Sequence, residues 1–95
     1  MTAYIIVRIT VTNPERYPDY TAETPALIAK HGGRFVVRGG APTALEGPEE
    51  ARRIVVIEFP SRAAAEAFYN DPAYAQVRAI RWEAAESELI LVDGV

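Results

Sequence analysis

Apolar and polar residues alternate with a period of two in four segments of the chain, which is the pattern of β-strands buried on at least one face. The segments are rich in valine and isoleucine, which fit a pleated, half-buried surface. The predicted strands are residues 4–11, 34–38, 53–59 and 87–93. The first of them, with Ile5, Val7 and Ile9 on one side, is expected in the centre of a sheet.

The segment after the first strand carries the signals of a helix start. Asn13-Pro14-Glu15 combines a capping side chain, a proline suited to the first helical position and an acid at the positive end of the helix dipole. The helix is expected to run to residue 30 or 31. Pro18 and Pro25 lack the amide that an interior position donates, so the sequence predicts kinks or two shorter helices, with Thr24 as an alternative cap for the second.

Glycines and short polar side chains mark the other helix boundaries. Gly32 is expected to end the first helix in the left-handed conformation, with Gly33 completing the stop. Ser61 is the predicted cap of an alanine-rich helix, and Asp71, followed by a proline, caps another that reaches about residue 85. Residues 39–51 form a polar connection that contains several glycines and prolines.

The element order is β-α-β-β-α-α-β, within one domain of residues 1–95. Right-handed crossovers and antiparallel neighbours favour a ferredoxin-like plait, an α+β fold with the helices on one face of a four-stranded antiparallel sheet. The strands are apolar on both sides apart from isolated charges, whereas a sheet with one solvated face shows clean alternation. We therefore expect a homodimer through the sheet faces, since a two-fold contact needs only one self-complementary patch.

Charge and composition exclude several classes of partner. The formal net charge is −3 and the ten basic residues are scattered, so nucleic acid is not an expected partner. The absence of cysteine excludes disulfides, thiolate nucleophiles and cysteine-type zinc sites. The first residues lack the charged leader of a signal peptide and the apolar runs are too short to span a bilayer, so no membrane is expected and the cytoplasm is the default location.

One face of the first helix carries residues that are unusual for a plain core. Six positions between residues 17 and 31 fall within an arc of about 100°. They are Tyr17, Tyr20, Thr24, Leu27, Ile28 and His31. Tyrosine, threonine and histidine side chains directed towards the sheet indicate a lined cavity. Tyr69, on a later helix, either caps that cavity or packs.

His31 is the chain's only histidine. It titrates near neutrality, which suits a proton donor or acceptor beside a substrate. The alternative, which the sequence favours slightly, is a structural histidine that binds the last carbonyl groups of its helix and interacts with the helix dipole.

Arg34, Arg38 and Glu58 lie on the two strands joined by the 39–51 connection. A register that pairs residue 34 with residue 58 makes Arg34 and Glu58 a salt bridge, places residue 38 opposite residue 54 and leaves Arg38 free. With Arg8 nearby on the next strand, an unpaired Arg38 would be able to hold a carboxylate or phenolate in bidentate fashion. The alternative is an ion pair between two subunits.

The last helix has an expected core stripe at residues 73, 77, 80 and 84. Tyr74, Arg78 and Arg81 neighbour one another beside this stripe by three- and four-residue spacing, and solvated charge is the favoured interpretation. Trp82 lies opposite the stripe and is expected to be exposed or to contact another chain.

Three long segments resemble a known family: NPERYPDYTAETPALIAKHGGRFVVRGG, VVIEFPSRAAAEAFYNDPAYAQVRAIR and LILVDGV. With HGGRF, RGG and EFPS together, the chain resembles the family called domain of unknown function 1330, within the dimeric α/β-barrel superfamily, over nearly its whole length. The resemblance implies a dimer with a pocket between sheet and helices, and no agreed activity. Superfamily relatives include cofactor-free monooxygenases, lactone isomerases, dehalogenase-like proteins and haem enzymes, so the fold does not select a reaction.

No metal or cofactor is predicted. A metal site would need more ligands than His31 and Glu58, and haem would need His31 as its axial ligand. The glycines of HGGRFVVRGG do not match the spacing of a dinucleotide or phosphate loop.

Three functional hypotheses follow from these residues. The first is a domain that binds a small anionic or phenolic molecule between sheet and helices, with a pocket lined by Tyr17, Tyr20, His31, Arg38 and Tyr69. The second is a cofactor-free enzyme, oxygenase-like or isomerase-like, in which His31 moves a proton and Arg38 stabilises the resulting enolate or phenolate. The third is a structural dimer without a ligand.

Overall fold

Seven elements in the predicted order make up the computed structural model, which describes residues 1–95. They are β1 (Ala3–Val11), α1 (Tyr17–Lys30), β2 (Arg34–Arg38), β3 (Arg53–Phe59), α2 (Arg62–Tyr69), α3 (Pro72–Ala84) and β4 (Ala85–Asp93). The four strands form one antiparallel sheet in the order β2-β3-β1-β4. The prediction of an α+β, ferredoxin-like fold is confirmed. None of the three helices has the length and apolar character needed to cross a membrane.

The helices cover one face of the sheet. On that face β1 contributes Ile5, Val7 and Ile9, and β3 contributes Ile57 and Phe59, all of them buried. Burying side chains of this size contributes about 1.5–3 kcal/mol each relative to leaving them in water. The alternation seen in the sequence therefore sorts the core residues onto the helix-covered face.

The opposite face, called the open face below, carries a row of apolar side chains across all four strands. Val37 pairs with Val56, Val56 with Ile6, and Ile6 with Ile90. Val37 and Ile90 are 43% and 47% exposed. The Cα trace measures 35 × 33 × 15 Å, which is one layer of helices on one sheet, so nothing in the chain covers this row.

α1 begins at Tyr17, later than the predicted start at Pro14. Asn13 Oδ1 accepts hydrogen bonds from the backbone amides of Glu15 and Arg16, both at 3.2 Å. These bonds close a turn that precedes the helix, a common use of asparagine. Asn13 therefore caps this turn and not α1 itself.

α1 is a single helix despite its two prolines. Pro18 lies in the first turn, where the missing amide would have had no helical partner. Pro25 lies inside the helix and removes one backbone hydrogen bond. Thr24 is also inside it, with Oγ1 donating to the Tyr20 carbonyl at 2.7 Å. The predicted division into two helices, and the alternative cap at Thr24, are wrong.

Side-chain caps start the other two helices. Ser61 Oγ accepts a hydrogen bond from the Ala64 amide at 3.1 Å, and Asp71 Oδ1 accepts one from the Ala73 amide at 2.9 Å. Each satisfies a backbone donor that a helix start leaves free. The two caps fix where α2 and α3 begin.

β2 contains an irregularity that the sequence analysis missed. The pairs with β3 are Arg34 with Glu58, Phe35 with Ile57, Val37 with Val56 and Arg38 with Val55. A β-bulge between Phe35 and Val37 adds one residue to β2. The predicted position of Arg38 opposite residue 54 is therefore wrong, and Arg38 turns to the helix-covered face instead of sharing a face with Arg34.

α3 passes into β4 without a connecting loop. β4 begins at Ala85, two residues before the predicted residue 87. Ala85 has extended backbone angles, φ −160° and ψ 157°, and pairs with Val11 at the end of β1. The length of β1 thus determines where β4 starts.

Gly33, between α1 and β2, allows a close approach of the chain to the core. Its amide donates to the Ile28 carbonyl at 2.9 Å, after Gly32 takes a φ of +77°. A Cβ atom on Gly33 would lie 2.6 Å from Phe59 Cε1 and 2.8 Å from Ile28 Cγ2. The turn therefore packs directly on the aromatic ring only because residue 33 has no side chain.

We predict that Gly33→Ala lowers the free energy of unfolding by about 1–3 kcal/mol, because the added methyl group overpacks the core. Chemical denaturation measures the change. In a Phe59→Leu background the added cost should be smaller, since the ring atoms that meet the methyl group are gone. An equal cost in both backgrounds would contradict the packing explanation.

Candidate ligand-binding cavity

A cavity of about 370 Å³ lies between α1 and the helix-covered face of the sheet. Its floor is formed by Val7 and Ile9 of β1 and by Val55 and Ile57 of β3. A volume of this order is enough for a small organic molecule, and an apolar floor with a few polar groups is typical of binding sites.

α1 forms one wall of the cavity. Tyr17, Tyr20 and Thr24 line it, and the two tyrosine rings lie 5.8 Å apart. These are three of the six residues expected to share a helix face. Ile28 is instead 1% exposed and packs in the core.

Three arginines line the cavity, namely Arg38, Arg53 and Arg81, and no aspartate or glutamate does. None of the three forms a salt bridge. Elsewhere in the chain five arginines do: Arg8, Arg16, Arg34, Arg52 and Arg62. The remaining arginine, Arg78, stacks on aromatic rings away from the cavity. Three of the four arginines without a salt bridge therefore line the cavity and make its walls positively charged.

Arg38 and Arg53 are exposed, so they lie at the entrance of the cavity. The Arg38 guanidinium lies 4.2 Å from the centre of the Phe35 ring, on the same face as a result of the bulge. The Arg53 guanidinium packs against Gly39, where a Cβ atom would lie 3.3 Å from Arg53 Cζ. Both side chains are held by packing and leave their charges free.

Arg81 is only 3% exposed and contacts the cavity from α3. Its Nη1 donates to the Tyr74 hydroxyl at 3.0 Å, and its buried Nε has no hydrogen-bond partner. The Tyr74 and Tyr20 hydroxyl oxygens lie 2.8 Å apart. A buried guanidinium with no carboxylate partner is costly, so an anion in the cavity would find a strong attraction here.

The solvated role expected for Tyr74 and Arg81 is wrong. The buried residues of α3 are Tyr74, Val77, Arg81 and Ala84, instead of the stripe at 73, 77, 80 and 84. The buried stripe at residues 74, 77, 81 and 84 has the same helical spacing and includes a tyrosine, so these two features could have identified it from the sequence. It was missed because arginine is rarely buried.

Tyr17 of the cavity wall and the buried Tyr74 are neutral phenols. Burial raises the pKa of the Tyr17 hydroxyl above its ordinary value. Burial also raises the pKa of Tyr74, by much more, and the nearby Tyr20 adds to the effect. Near neutral pH these hydroxyls therefore act as hydrogen-bond donors and acceptors and not as phenolates.

His31 lies outside the cavity, at the junction of α1 and α3. Its Nε2 lies 2.8 Å from Asp71 Oδ2, and Lys30 Nζ lies 2.9 Å from the same oxygen. The His31 ring also meets the edge of Phe68, with centroids 6.3 Å apart. The structure therefore joins His31 to the carboxylate that caps α3 and does not bring it to Tyr17, Tyr20 and Arg38.

Tyr69 also lies away from the cavity. It lines a separate apolar depression between α2 and β4, beside Ile5 and Leu91. The guanidinium of Arg78 lies 4.7 Å from the centre of its ring and 5.0 Å from that of Trp82, which is 63% exposed. Tyr69 thus packs in a cation–π stack on the surface of the helix layer.

The predicted ion pair of Arg34 with Glu58 lies on the open face. Arg34 Nε and Glu58 Oε1 are 3.1 Å apart, and the Tyr4 hydroxyl donates to Glu58 Oε2 at 3.1 Å. Arg8 lies 3.6 Å from Glu50 on the same face. Because the bulge turns Arg38 to the other face, the expected neighbourhood of Arg8 and Arg38 is wrong.

No group of three or more histidine, aspartate or glutamate side chains is placed to hold a metal ion. The polar chemistry of the cavity comes instead from guanidinium and hydroxyl groups, which donate hydrogen bonds. Such a donor set suits a ligand with anionic oxygens.

A two-layer α+β plait with a cavity between sheet and helices defines the class of protein. Within it, residues 2–95 match the family described as domain of unknown function (DUF1330). The chain belongs to this family. No curated protein sequence matches it significantly.

Several solved structures share the fold. A protein of unknown function from Rhodopseudomonas palustris is 22% identical, with a TM-score of 0.77, 99% of this chain covered and 82% of that one. SnoaB, a cofactor-independent oxygenase from Streptomyces nogalater, is 21% identical, with a TM-score of 0.69 and coverage of 99% and 93%. A dimeric ferredoxin-like protein of unknown function from Jannaschia sp. CCS1 is 13% identical, with a TM-score of 0.67 and coverage of 99% and 100%. At these identities the likeness establishes the fold alone.

We predict that Asp71→Asn lowers the melting temperature at pH 7 but has a smaller effect at pH 3. Hydrogen bonds from His31, Lys30 and the Ala73 amide hold the pKa of Asp71 well below its usual range. A depressed folded-state pKa gives stabilisation that is present above about pH 4 and is lost as the pH falls towards the folded value.

Thermal unfolding of both proteins across this pH range measures the difference. Asp93→Asn is the matched control, because Asp93 is exposed and lies 3.2 Å from Arg62 at the surface. A penalty for Asp71→Asn that is the same at pH 3 and pH 7 would contradict the ionic role of this carboxylate.

Proposed function

We propose that this protein binds a small molecule with an anionic oxygen, a carboxylate or a phenolate, in the cavity between α1 and the sheet. The observation that carries the proposal is that three unpaired arginines and no acidic residue line the cavity. The apolar floor suits a hydrocarbon or aromatic body, with Tyr17 and Tyr20 beside it.

The arginines have two different environments in this proposal. Arg38 and Arg53, exposed at the entrance, attract the anion through water as it enters, where each interaction is weak. Arg81, buried on the inner side, interacts with the charge in a region of lower dielectric, where the same charge has a larger effect.

The enzyme hypothesis requires His31 to move a proton and Arg38 to stabilise the resulting anion. His31 is instead engaged with Asp71 outside the cavity. Arg38 remains at the entrance, so an anion that forms during a reaction would still meet positive charge. SnoaB is a cofactor-independent oxygenase, but its likeness to this chain extends to the fold and not to a shared set of residues. Binding is therefore the function we propose.

A structural dimer without a ligand is less well supported, since a closely packed interior would not leave 370 Å³ of space.

We also propose that two copies pair through the open face. The row Val37, Val56, Ile6 and Ile90 is a flat apolar band with no cover in the single chain. A two-fold contact would bury it against itself. Structural relatives from Bacteroides fragilis and Jannaschia are described as dimeric, which agrees with this arrangement.

We predict that benzoate binds more tightly than the neutral benzamide, and that Arg38→Met together with Arg53→Met weakens benzoate binding by about ten-fold. Two exposed charges that each attract the carboxylate by about 0.2–1 kcal/mol, without direct contact, give a loss of this size. Chemical-shift titration by NMR measures the affinities and reports whether Tyr17 and Thr24 are perturbed.

Arg62→Met is the matched control, because Arg62 is a surface arginine at the start of α2 that donates to Asp93 at the end of β4, away from the cavity. It should leave benzoate affinity unchanged. If neither benzoate nor any related carboxylate or phenolate shifts the cavity residues at millimolar concentration, the proposed function is wrong.

We predict that Ile90→Asp converts a dimer into a monomer, because it places a charge in the open-face row while residue 90 is already half exposed in the single chain. Sedimentation velocity at micromolar concentration measures the assembly. Leu45→Asp, at a residue 93% exposed in the connection, should leave the dimer intact. A wild-type protein that sediments as a folded monomer would overturn the open-face dimer.

A further inference from the structure

Three side chains, Arg81, Tyr74 and Tyr20, are joined by contacts between their polar atoms where α3 meets the cavity. Arg81 Nη1 donates to the Tyr74 hydroxyl at 3.0 Å, and the Tyr74 and Tyr20 hydroxyls are 2.8 Å apart. Tyr20 lines the cavity, whereas Tyr74 is 1% exposed and does not. The chain of contacts therefore starts at a buried positive charge and ends at a hydroxyl beside the ligand space.

The hydrogen bonds in this chain have one satisfying direction. A guanidinium can only donate, so the Tyr74 oxygen accepts from Arg81. The Tyr74 proton then needs an acceptor, and the Tyr20 oxygen is the only one within hydrogen-bonding distance. If Tyr20 donated to Tyr74 instead, the Tyr74 proton would be buried without a partner, which costs about 1–3 kcal/mol.

In this arrangement the Tyr20 oxygen accepts a hydrogen bond from Tyr74. The Tyr20 proton is therefore free to donate to a group in the cavity. A hydroxyl that accepts from a chain headed by a cation is polarised and becomes a stronger donor. Arg81 has no carboxylate partner that would cancel this effect. The guanidinium also lies 5.8 Å from the centre of the Tyr20 ring, which brings its charge close to the same end of the cavity.

We propose that Arg81, Tyr74 and Tyr20 form a one-directional hydrogen-bond relay, in which the Tyr20 hydroxyl donates to an anionic oxygen of the ligand. This inference rests on the proposed binding function and adds a basis for ligand selectivity. The inner end of the ligand is a carboxylate or phenolate oxygen that accepts a hydrogen bond from Tyr20. A cation or a donor group at that end is rejected, because it would face a polarised proton and a buried positive charge. Tyr74 acts as a positioning residue, since it aims the Tyr20 proton without touching the ligand.

Tyrosine-to-phenylalanine variants test the relay with benzoate and benzamide as probes. Tyr20→Phe should weaken benzoate binding by about ten-fold, as expected for a hydrogen bond to a charged group, and weaken benzamide binding by a smaller factor, because the neutral amide oxygen accepts a weaker hydrogen bond. Tyr74→Phe should weaken benzoate binding by about three- to ten-fold, although Tyr74 does not contact the cavity. Tyr69→Phe is the matched control, because its ring packs 5.9 Å from that of Tyr74 outside the relay, and it should bind both probes as the wild type does.

A second measurement tests the relay without any ligand. The Tyr74 hydroxyl is buried and donates its proton to Tyr20, so this proton should exchange slowly enough to be seen by proton NMR at low temperature. A through-bond correlation in protein with labelled tyrosine should assign it to the Tyr74 ring. The signal should vanish in Tyr74→Phe and persist in Tyr69→Phe.

The outcomes separate this inference from the proposed function. If benzoate binds and depends on Arg38 and Arg53, but Tyr74→Phe behaves like Tyr69→Phe, the relay is overturned and the binding function stands. A loss of benzoate and benzamide affinity by the same factor in Tyr74→Phe would also overturn it, since that marks a purely structural role. If neither probe binds, the proposed function fails. Assignment of the slowly exchanging proton to Tyr20 instead of Tyr74 would overturn the relay independently of ligand binding.

Discussion

The burial of one guanidinium without a carboxylate is the constraint on which the cavity and its chemistry depend. Removing an unpaired charge from water is expensive, and Arg81 has only the Tyr74 hydroxyl as a side-chain partner. The surrounding tyrosines offset part of that cost through their oxygens and ring faces. An anionic ligand would supply the missing countercharge. The buried Arg81 charge that destabilises the fold would therefore attract the proposed ligand.

The sheet separates two roles by the direction of its side chains. Val7, Ile9, Val55 and Ile57 point to the helices and form the cavity floor, while the alternating residues form the open-face row. A single bulge in β2 moves Arg38 from the second set to the first. The proposed ligand site and the proposed dimer contact therefore lie on opposite faces of the sheet, and a substitution on one face need not disturb the other.

The order of elements and the sheet faces were predictable, because valine and isoleucine alternate with period two and Ser61, Asp71 and Gly32 stand at helix ends. The bulge was not, since it depends on pairing between β2 and β3 and no glycine or proline marks it. The pairing of His31 with Asp71 was also missed, as those residues are 40 positions apart in the chain. Tyr17, Tyr20 and Arg38 were expected at the cavity and line it, whereas Arg81 was placed in solvent because a buried arginine departs from the usual preference of that residue.

The most direct measurement is a crystal structure of the protein with 4-bromobenzoate, in which the bromine's anomalous signal fixes the orientation of the ligand. We expect the bromine over the apolar floor and the carboxylate beside the Tyr20 hydroxyl at the Arg81 end of the cavity. A carboxylate that instead points to the open entrance, or a cavity that stays empty while the ligand occupies other surfaces, would contradict this expectation.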